Sequence, residues 1–153
     1  MSGCHLDHFV GMDADIVVSP GWYEGLLNAA REVAPWAAMA PVIYSPGGTI
    51  PTMHGAVPGT REIRPHIWYN QATAGPLFLI RRKFWENWGG YPGDRLYGND
   101  DGALCKQAVR KGLFVGYTDS VTVEHHNSDS DSGYRDWKVR NLAVSADPAG
   151  YWG

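Results

Sequence analysis

The sequence predicts an α/β fold, because apolar runs of strand length alternate along the chain with segments of helical periodicity. The clearest strands are Trp36–Tyr44 and residues 75–80, and the clearest helix ends at Lys111. The 153 residues are 44% hydrophobic, which suffices for one domain with its own core. Neither an internal repeat nor a linker-like segment is visible, so we expect a single domain over residues 1–153.

The first part of the chain predicts a strand, a loop and a helix. Residues 9–12 are apolar and end abruptly at two acids, after which a second apolar run leads to Ser19 and Pro20. A hydroxyl N-cap followed by proline at the first helical position is typical of a helix start. Apolar residues then recur at helical spacing as far as Val33, and a proline two residues later ends the helix.

The middle of the chain predicts two strands around a long loop. Trp36–Tyr44 is β-like and is followed by residues 45–65, in which proline and glycine recur and prevent regular structure. A loop of this length inside a compact domain is usually functional or mobile. Residues 67–74 are expected to be extended, and residues 75–80 form a buried strand.

The last part of the chain predicts two helices, two strands and a tail. The helices are expected at residues 84–88 and 99–111, and the strands at residues 113–117 and 121–123. Asn99 or Asp100 caps the second helix, which stops before a glycine. Residues 127–153 are polar and then aromatic without a clear period, and we interpret them as a mobile tail.

Composition and charge exclude several classes of function. A net charge of −3 argues against a nucleic-acid partner. No apolar run approaches the roughly 20 residues that cross a bilayer, and the amino terminus lacks the basic and apolar regions of a signal peptide. Cys4 and Cys105 lie far apart with no CxxC partner, so we expect free thiols in a cytoplasmic protein.

Two uncompensated carboxylates mark the end of the first strand. Asp13 and Asp15 have no Lys or Arg within several residues, so local ion pairing does not explain them. In open α/β sheets, ligands bind beyond the carboxyl ends of strands. Paired acids there suit a hard divalent cation that also holds a phosphate. The alternative is that Asp13 is a turn residue and Asp15 a solvated acid, and this stretch alone leaves both interpretations open.

Two further polar groups lie at comparable positions in the chain. Asn99, Asp100 and Asp101 stand at the start of a helix, and His125 and His126 follow the last strand. Strand ends and helix starts can share one edge of a sheet, so we expect these groups to meet the two acids there. Carboxylates and an imidazole suit Mn²⁺ or Mg²⁺, and a carboxylate at a helix N-terminus can act as a general base.

An ordered set of short motifs covers residues 9–126. They are Asp13-Ala14-Asp15, Ser19-Pro20-Gly21-Trp22, Gly75-Pro76-Leu77-Phe78-Leu79-Ile80-Arg81-Arg82, Gly89-Gly90-Tyr91, Gly98-Asn99-Asp100-Asp101 and Val121-Thr122-Val123-Glu124-His125. In this order and spacing, they resemble the second half of a GT-A-fold glycosyltransferase and are most similar to the inverting family 2 enzymes. The resemblance implies a partial GT-A fold, a mixed sheet with flanking helices that lacks the N-terminal nucleotide-binding βα units.

The resemblance implies a donor-binding role for four residues. Asp15 would bind the metal directly, and Asp13 would contact the ribose or bind the metal through water. His125 would be the second protein ligand to the metal, in preference to His126. Gly75 would contribute to the donor site, since its strand corresponds to the one beneath the sugar. For His125, the alternative is a strand-end histidine whose ring is satisfied by the backbone.

The resemblance also implies a catalytic role for the acids at the helix start. Asp100 would be the general base that takes the proton from the acceptor hydroxyl, with Asp101 as the second choice. The alternative is that Asp100 only caps the helix and interacts with its dipole. One departure from the family pattern is Asn99, which stands where the family has a glutamate.

The implied reaction transfers a sugar from a nucleotide-diphosphate-sugar donor to a hydroxyl acceptor on a glycan, lipid or protein, with inversion. The implied partners include a further chain or segment that supplies the missing nucleotide-binding half. Two other functions stay open. One is a catalytically inactive GT-A remnant that binds a glycan or a partner protein, and the other is a metal-dependent phosphohydrolase.

Overall fold

The computed structural model describes residues 6–48, 60–70, 76–88, 100–126, 136–137 and 140. These residues form ten elements, which are β1 His8–Met12, β2 Ile16–Val18, α1 Trp22–Glu32, β3 Trp36–Tyr44, β4 Arg61–Arg64, β5 Ile67–Tyr69, β6 Leu77–Arg81, α2 Arg82–Trp88, α3 Asp100–Arg110 and β7 Phe114–His125. The predicted α/β class is therefore confirmed. Most of the expected tail and much of the expected loop lie outside the described residues.

The strands form one mixed sheet in the order β1-β6-β3-β7-β5-β4, and β2 pairs with the end of β7. The pair β3–β7 is parallel, whereas β1–β6, β3–β6, β5–β7, β4–β5 and β2–β7 are antiparallel. Every residue of β3 before Tyr44 is buried. Such a continuous buried run is typical of a central strand that is covered on both faces.

Helices cover both faces of the sheet and create two apolar cores. On one face, α1 places Leu26 against Met39 and the neighbouring strands. On the other face, α2 and α3 place Phe84 and Leu104 against Val115. Because helices pack on both sides, β1, β6 and β7 contact an apolar core on each face of the sheet.

The start of α1 differs from the prediction. Instead of a Ser19 cap, the helix has Gly21 at its N-cap position, with φ 78° and ψ 5° and no side-chain cap hydrogen bond. The backbone N–H of Trp22 donates to the carbonyl of Ser19 at 3.3 Å. Proline at the second position of a turn and a left-handed glycine at the third define a type II turn. Pro20 and Gly21 therefore turn the chain before the helix begins.

The two strands predicted at residues 113–117 and 121–123 are one strand, β7, with an irregularity in its middle. Its register with β3 shifts between Pro41, which pairs with Thr118, and Val42, which pairs with Thr122. Thr118 is fully buried, and its hydroxyl lies 2.7 Å from that of Ser120. The polar residues that interrupt the apolar pattern thus form a bulge inside the strand rather than a turn.

Other boundaries differ by smaller amounts. Residues 61–64, predicted as loop, form β4, because they pair with β5. The strand β5 is confirmed over Ile67–Tyr69, and α2 begins two residues earlier than expected. Cys105 is a buried free thiol, whereas Cys4 lies outside the described residues. Among the helices that the structure describes, none combines the length and apolar character required to span a membrane.

Candidate metal centre

Two backbone ladders bring the acidic stretch to one edge of the sheet. The β1–β6 ladder continues past Met12, since the N–H of Asp13 donates to the carbonyl of Pro76 at 2.8 Å. The β2–β7 ladder continues in the same way, since the N–H of His126 donates to the carbonyl of Asp15 at 2.8 Å. The peptide backbone, and not side-chain chemistry, therefore fixes where the two acids lie.

Asp13, Asp15 and His125 form one cluster at this edge. Each offers a ligand atom, and these atoms all lie within 4.8 Å of one another. The Nε2 of His125 is 3.2 Å from Oδ1 of Asp15. The side chain of His125 is only 13% exposed and that of Asp15 is 41% exposed, while Asp13 is open to solvent. The imidazole is therefore the most buried group of the cluster, and the carboxylate of Asp13 is the most exposed.

The structure distinguishes the two neighbouring histidines. Successive residues of a strand point to opposite faces, so His125 and His126 cannot both join the cluster. The Nε2 of His126 lies 3.2 Å from Oε2 of Glu124, on the exposed side of the strand. The prediction that His125 accompanies the two acids, in preference to His126, agrees with this geometry.

The donor set of the cluster fits a divalent cation. Two carboxylates and one imidazole provide two hard oxygen donors and one nitrogen donor, which suits Mn²⁺ better than the oxygen-preferring Mg²⁺. Three protein ligands leave further coordination positions for a ligand such as a diphosphate. Among the described residues, this is the one group of three or more metal-ligating side chains within such a distance.

Other predicted site residues stay predictions. Asp100 is the first residue of α3, but its side chain is not among those described. Asn99 and Gly75 lie outside the described residues. Asp101 is half-buried, and its Oδ1 accepts a hydrogen bond from the N–H of Gly102 at 2.7 Å. This contact joins neighbouring residues in the first turn of α3, and the role of Asp101 stays a prediction.

A second polar cluster, which the sequence did not predict, lies at the bulge of β7. The carboxylate of Asp119 lies 2.8 Å from Nδ1 of His66 and accepts a hydrogen bond from Nε1 of Trp68 at 3.1 Å. His66 has a left-handed backbone with φ 66°, and its N–H donates to Glu62. Burial, and secondly the charge of Asp119, raises the pKa of Tyr117, whose ring stacks on Trp68. No local sequence signal marks this cluster, because it depends on the pairing of β5 with β7.

Comparisons with known proteins support the fold. No protein-family model matches the chain, and no curated protein matches it in sequence. Among solved structures, it is similar to GalNAc-T7 in a crystal structure with UDP, GalNAc and Mn²⁺, with a TM-score of 0.59 and 19% identity. The match covers 78% of this chain and 27% of GalNAc-T7, so the chain spans about a quarter of that structure.

The fold is therefore a partial GT-A glycosyltransferase fold, as the motif order implied. At 19% identity, the similarity defines the architecture and not the family. The neighbour is a GT-A glycosyltransferase. The similarity supports a GT-A-like fold and does not show membership of the inverting family 2.

Proposed function

We propose that this protein binds a nucleotide-diphosphate sugar through a divalent cation and transfers the sugar to a hydroxyl acceptor. The observation that carries the proposal is the convergence of Asp13, Asp15 and His125 at one edge of a GT-A-like sheet. The fold neighbour, whose crystal structure contains UDP, GalNAc and Mn²⁺, supports a donor of this chemical class.

Within this proposal, the chain holds the cation and orients the donor. Asp15 and His125 are the protein ligands to Mn²⁺ or Mg²⁺, and the open carboxylate of Asp13 binds the ribose or a water on the cation. A bound cation acts as a Lewis acid that stabilises the charge of the departing nucleoside diphosphate. The partial burial of His125 reduces the access of water to its ring, which strengthens the electrostatic interaction of the ring with a bound cation.

Catalysis is assigned to the N-terminus of α3. Asp100 removes the proton from the acceptor hydroxyl as that oxygen attacks the anomeric carbon, and Asp101 is the second choice. A single displacement of this kind inverts the configuration and requires one base. This assignment, the place of Gly75 in the donor site and membership of family 2 rest on the resemblance of the motifs.

The proposed partners are a hydroxyl acceptor on a glycan, lipid or protein, and a further polypeptide segment. The second partner is proposed because the chain covers 27% of its fold neighbour. It would supply the remainder of the nucleotide-binding region.

UDP binding measured by calorimetry tests the proposal. We expect UDP to bind in the presence of Mn²⁺ and to lose at least about tenfold in affinity after EDTA treatment. Asp15→Ala should remove the Mn²⁺ dependence. Asp7→Ala is the matched control, because Asp7 is an exposed acid before the opposite end of β1. Equal UDP affinity with and without Mn²⁺ would contradict the proposal.

A second candidate function is a binding module without catalysis. The coverage of only 27% of the fold neighbour favours it, because a quarter of such a fold can retain the cation site without a complete donor pocket. Turnover distinguishes the candidates. Formation of a glycosylated acceptor together with UDP indicates a transferase. Hydrolysis of the diphosphate to a sugar phosphate and UMP without an acceptor indicates a phosphohydrolase. UDP binding with neither product indicates the binding module.

A further inference from the structure

A row of side chains crosses the sheet where β5 lies between β4 and β7. Trp68 of β5 lies opposite Glu62 of β4 and Tyr117 of β7, so these three side chains share one face of the sheet. His66 precedes β5, and its ring contacts Asp119 of β7. Asp119 also accepts a hydrogen bond from Trp68. We call Glu62, His66, Trp68 and Asp119 the hairpin surface.

The hairpin surface combines an aromatic ring with polar groups that are open to solvent. Trp68 is half-buried and stacks on Tyr117, with ring planes 4° apart and ring centroids 6.1 Å apart. The side chains of His66 and Asp119 are 70% and 38% exposed. Because the indole Nε1–H donates to Asp119 at 3.1 Å, the carboxylate borders the edge of the ring and does not cover its face.

His66 and Asp119 orient each other and keep the capacity to accept further hydrogen bonds. Oδ1 of Asp119 lies 2.8 Å from Nδ1 of His66. In a neutral imidazole one nitrogen donates and the other accepts, so Nε2 is an acceptor when Nδ1–H faces the carboxylate. An ionised carboxylate has about four acceptor positions, of which His66 and Trp68 each take one. Both groups can therefore accept hydrogen bonds from hydroxyl groups beside the indole ring.

The backbone of His66 is a second sign that its imidazole has a function. This residue has φ 66° and follows Pro65 in a two-residue turn, whose flanking residues Arg64 and Ile67 pair with each other. Glycine is the residue that such a position favours, because a left-handed backbone strains a residue with a Cβ atom. Residues with this strain are concentrated at functional sites. The turn therefore holds a histidine where glycine would fit with less strain.

The hairpin surface and the cation centre lie on opposite faces of the sheet. Tyr117 packs into the apolar core of α2 and α3, whereas Val123 packs into the core of α1. His125 shares the face of Val123, because alternate residues of a strand point the same way. The bulge in β7 therefore separates the two polar groups, and a ligand at the hairpin surface does not contact the cation centre.

Charge and shape favour a neutral ligand with hydroxyl groups. Glu62 and Asp119 make this face acidic, so a phosphate or an anionic lipid would be repelled. The arginines of β4 belong to the other face, since Arg61 pairs with Tyr69 and lies over its ring. A pyranose has one face of C–H groups, which packs on an indole ring, and a rim of hydroxyl groups, which donate to carboxylate and imidazole acceptors.

We propose that the hairpin surface binds a neutral pyranoside at a site separate from the cation centre. The C–H face of the sugar stacks on Trp68, and neighbouring hydroxyl groups donate to Asp119 and to Nε2 of His66. An open surface buries less of a ligand than a cleft does, so we expect a Kd of about 1 mM. The site requires neither a cation nor a nucleotide and goes beyond the proposed transfer function.

Nuclear magnetic resonance titration with methyl β-D-galactoside, and with methyl β-D-glucoside as a second probe, tests the proposal. The signal is the indole N–H resonance of Trp68, which Trp68→Phe assigns by removing it. We expect at least one sugar to shift this resonance with half-saturation at about 1–10 mM. Glycerol is the control, because it has hydroxyl groups without a ring face. If neither sugar shifts the resonance more than glycerol does, the proposal is wrong.

Two variants distinguish a binding role from a structural one. His66→Gly should keep the fold by circular dichroism, because glycine suits φ 66°, and should lose at least about fivefold in sugar affinity. Asp119→Asn should lose at least about tenfold. His126→Gln is the matched control, since His126 contacts Glu124 in the same way elsewhere, and should bind sugar like wild type. Wild-type affinity in both His66→Gly and Asp119→Asn would mean that the cluster only fastens β5 to β7, and would overturn the proposal.

Tests with UDP and Mn²⁺ separate this inference from the proposed function. Asp15→Ala should keep sugar binding while it loses Mn²⁺-dependent UDP binding, and His66→Gly should show the reverse. Saturating UDP and Mn²⁺ should leave the sugar affinity of the wild-type protein unchanged, as should EDTA. Competition between UDP and the sugar, or loss of sugar binding in EDTA, would assign the sugar to the cation centre and overturn the inference.

Discussion

The Nε2 atom of His125 lies 3.2 Å from Oδ1 of Asp15, although one residue precedes β2 and the other ends the last described strand. The contact is a consequence of the antiparallel pairing in which Ile16 lies opposite His125. Because the ladder fixes both backbones, the two side chains are preorganised before any ligand binds. Preorganised ligands lose little conformational freedom when they capture a cation.

Neutralising the acids should weaken cation binding without unfolding the protein. Mn²⁺ at about 100 times its Kd should stabilise the wild-type protein by about 2.7 kcal/mol, since it binds only the folded state. We expect Asp13→Asn and Asp15→Asn to lose most of this stabilisation, and Asp7→Asn to keep it. A thermal-shift titration with Mn²⁺ measures the effect, and equal shifts for Asp15→Asn and Asp7→Asn would rule out the assignment.

The two acids at the start of α3 should differ in their effect on turnover. A general base contributes about 10²–10⁴-fold to a rate, so Asp100→Asn should lower sugar transfer by at least about 100-fold. Its Mn²⁺ affinity should be unchanged, because the proposed ligands are Asp13, Asp15 and His125. Asp101→Asn serves as the matched variant and should keep transfer. Loss of transfer in Asp101→Asn alone would reverse the roles.

The packing of β5 on β7 should depend on Gly116. A Cβ atom built there would overlap the carbonyl oxygen of Trp68 and lie 2.6 Å from the ring of Phe114. Gly116→Ala should therefore lower the free energy of unfolding by roughly 1–3 kcal/mol. At Gly11, a Cβ would meet the ring of Phe78 at 3.7 Å, which is ordinary contact.

Gly11→Ala is thus the matched control for this packing prediction. It should leave the protein as stable as wild type or stabilise it by about 0.5–1 kcal/mol, because alanine has less backbone freedom to lose. Urea unfolding of both variants provides the measurement. Equal destabilisation of the two would show that the close approach at Gly116 is not a constraint.

Stability should fall at alkaline pH partly through Tyr117. Burial, and then the charge of Asp119, raises the pKa of this phenol in the folded state. Below the unfolded pKa of about 10, the phenol is protonated in both states and adds no pH dependence. Above it, the unfolded chain ionises first, so the free energy of unfolding decreases as the pH rises.

Tyr117→Phe removes this ionisation and should show a smaller loss of stability between about pH 9 and pH 11. Urea unfolding across this range compares the variant with the wild-type protein. Parallel pH profiles for the two proteins would contradict the role assigned to Tyr117.

Strong local patterns predicted much of the fold. The nine-residue strand β3 and the helix α3 follow their apolar periodicity, and β1 ends at the predicted acids. The convergence of Asp15 and His125 was predictable because each stands at a strand terminus, where open α/β sheets bind ligands.

The differences arise where a local signal had two physical meanings. Pro20-Gly21 suits a type II turn as well as a helix start, and the left-handed Gly21 with the hydrogen bond to Ser19 identifies the turn. Thr118 and Ser120 suggested a loop, but they stay in β7 because β3 pairs with it both before and after the bulge. The contact of Asp119 with His66 has no local signal, because it depends on the pairing of β5 with β7.

Pulsed electron paramagnetic resonance on the Mn²⁺ complex tests whether His125 binds the cation. With ¹⁵N-labelled histidine, we expect one directly bound nitrogen, which His125→Gln removes and His126→Gln keeps. Mn²⁺ bound without any nitrogen ligand, or a nitrogen signal that survives in His125→Gln, would contradict a cation shared by the two acids and this imidazole.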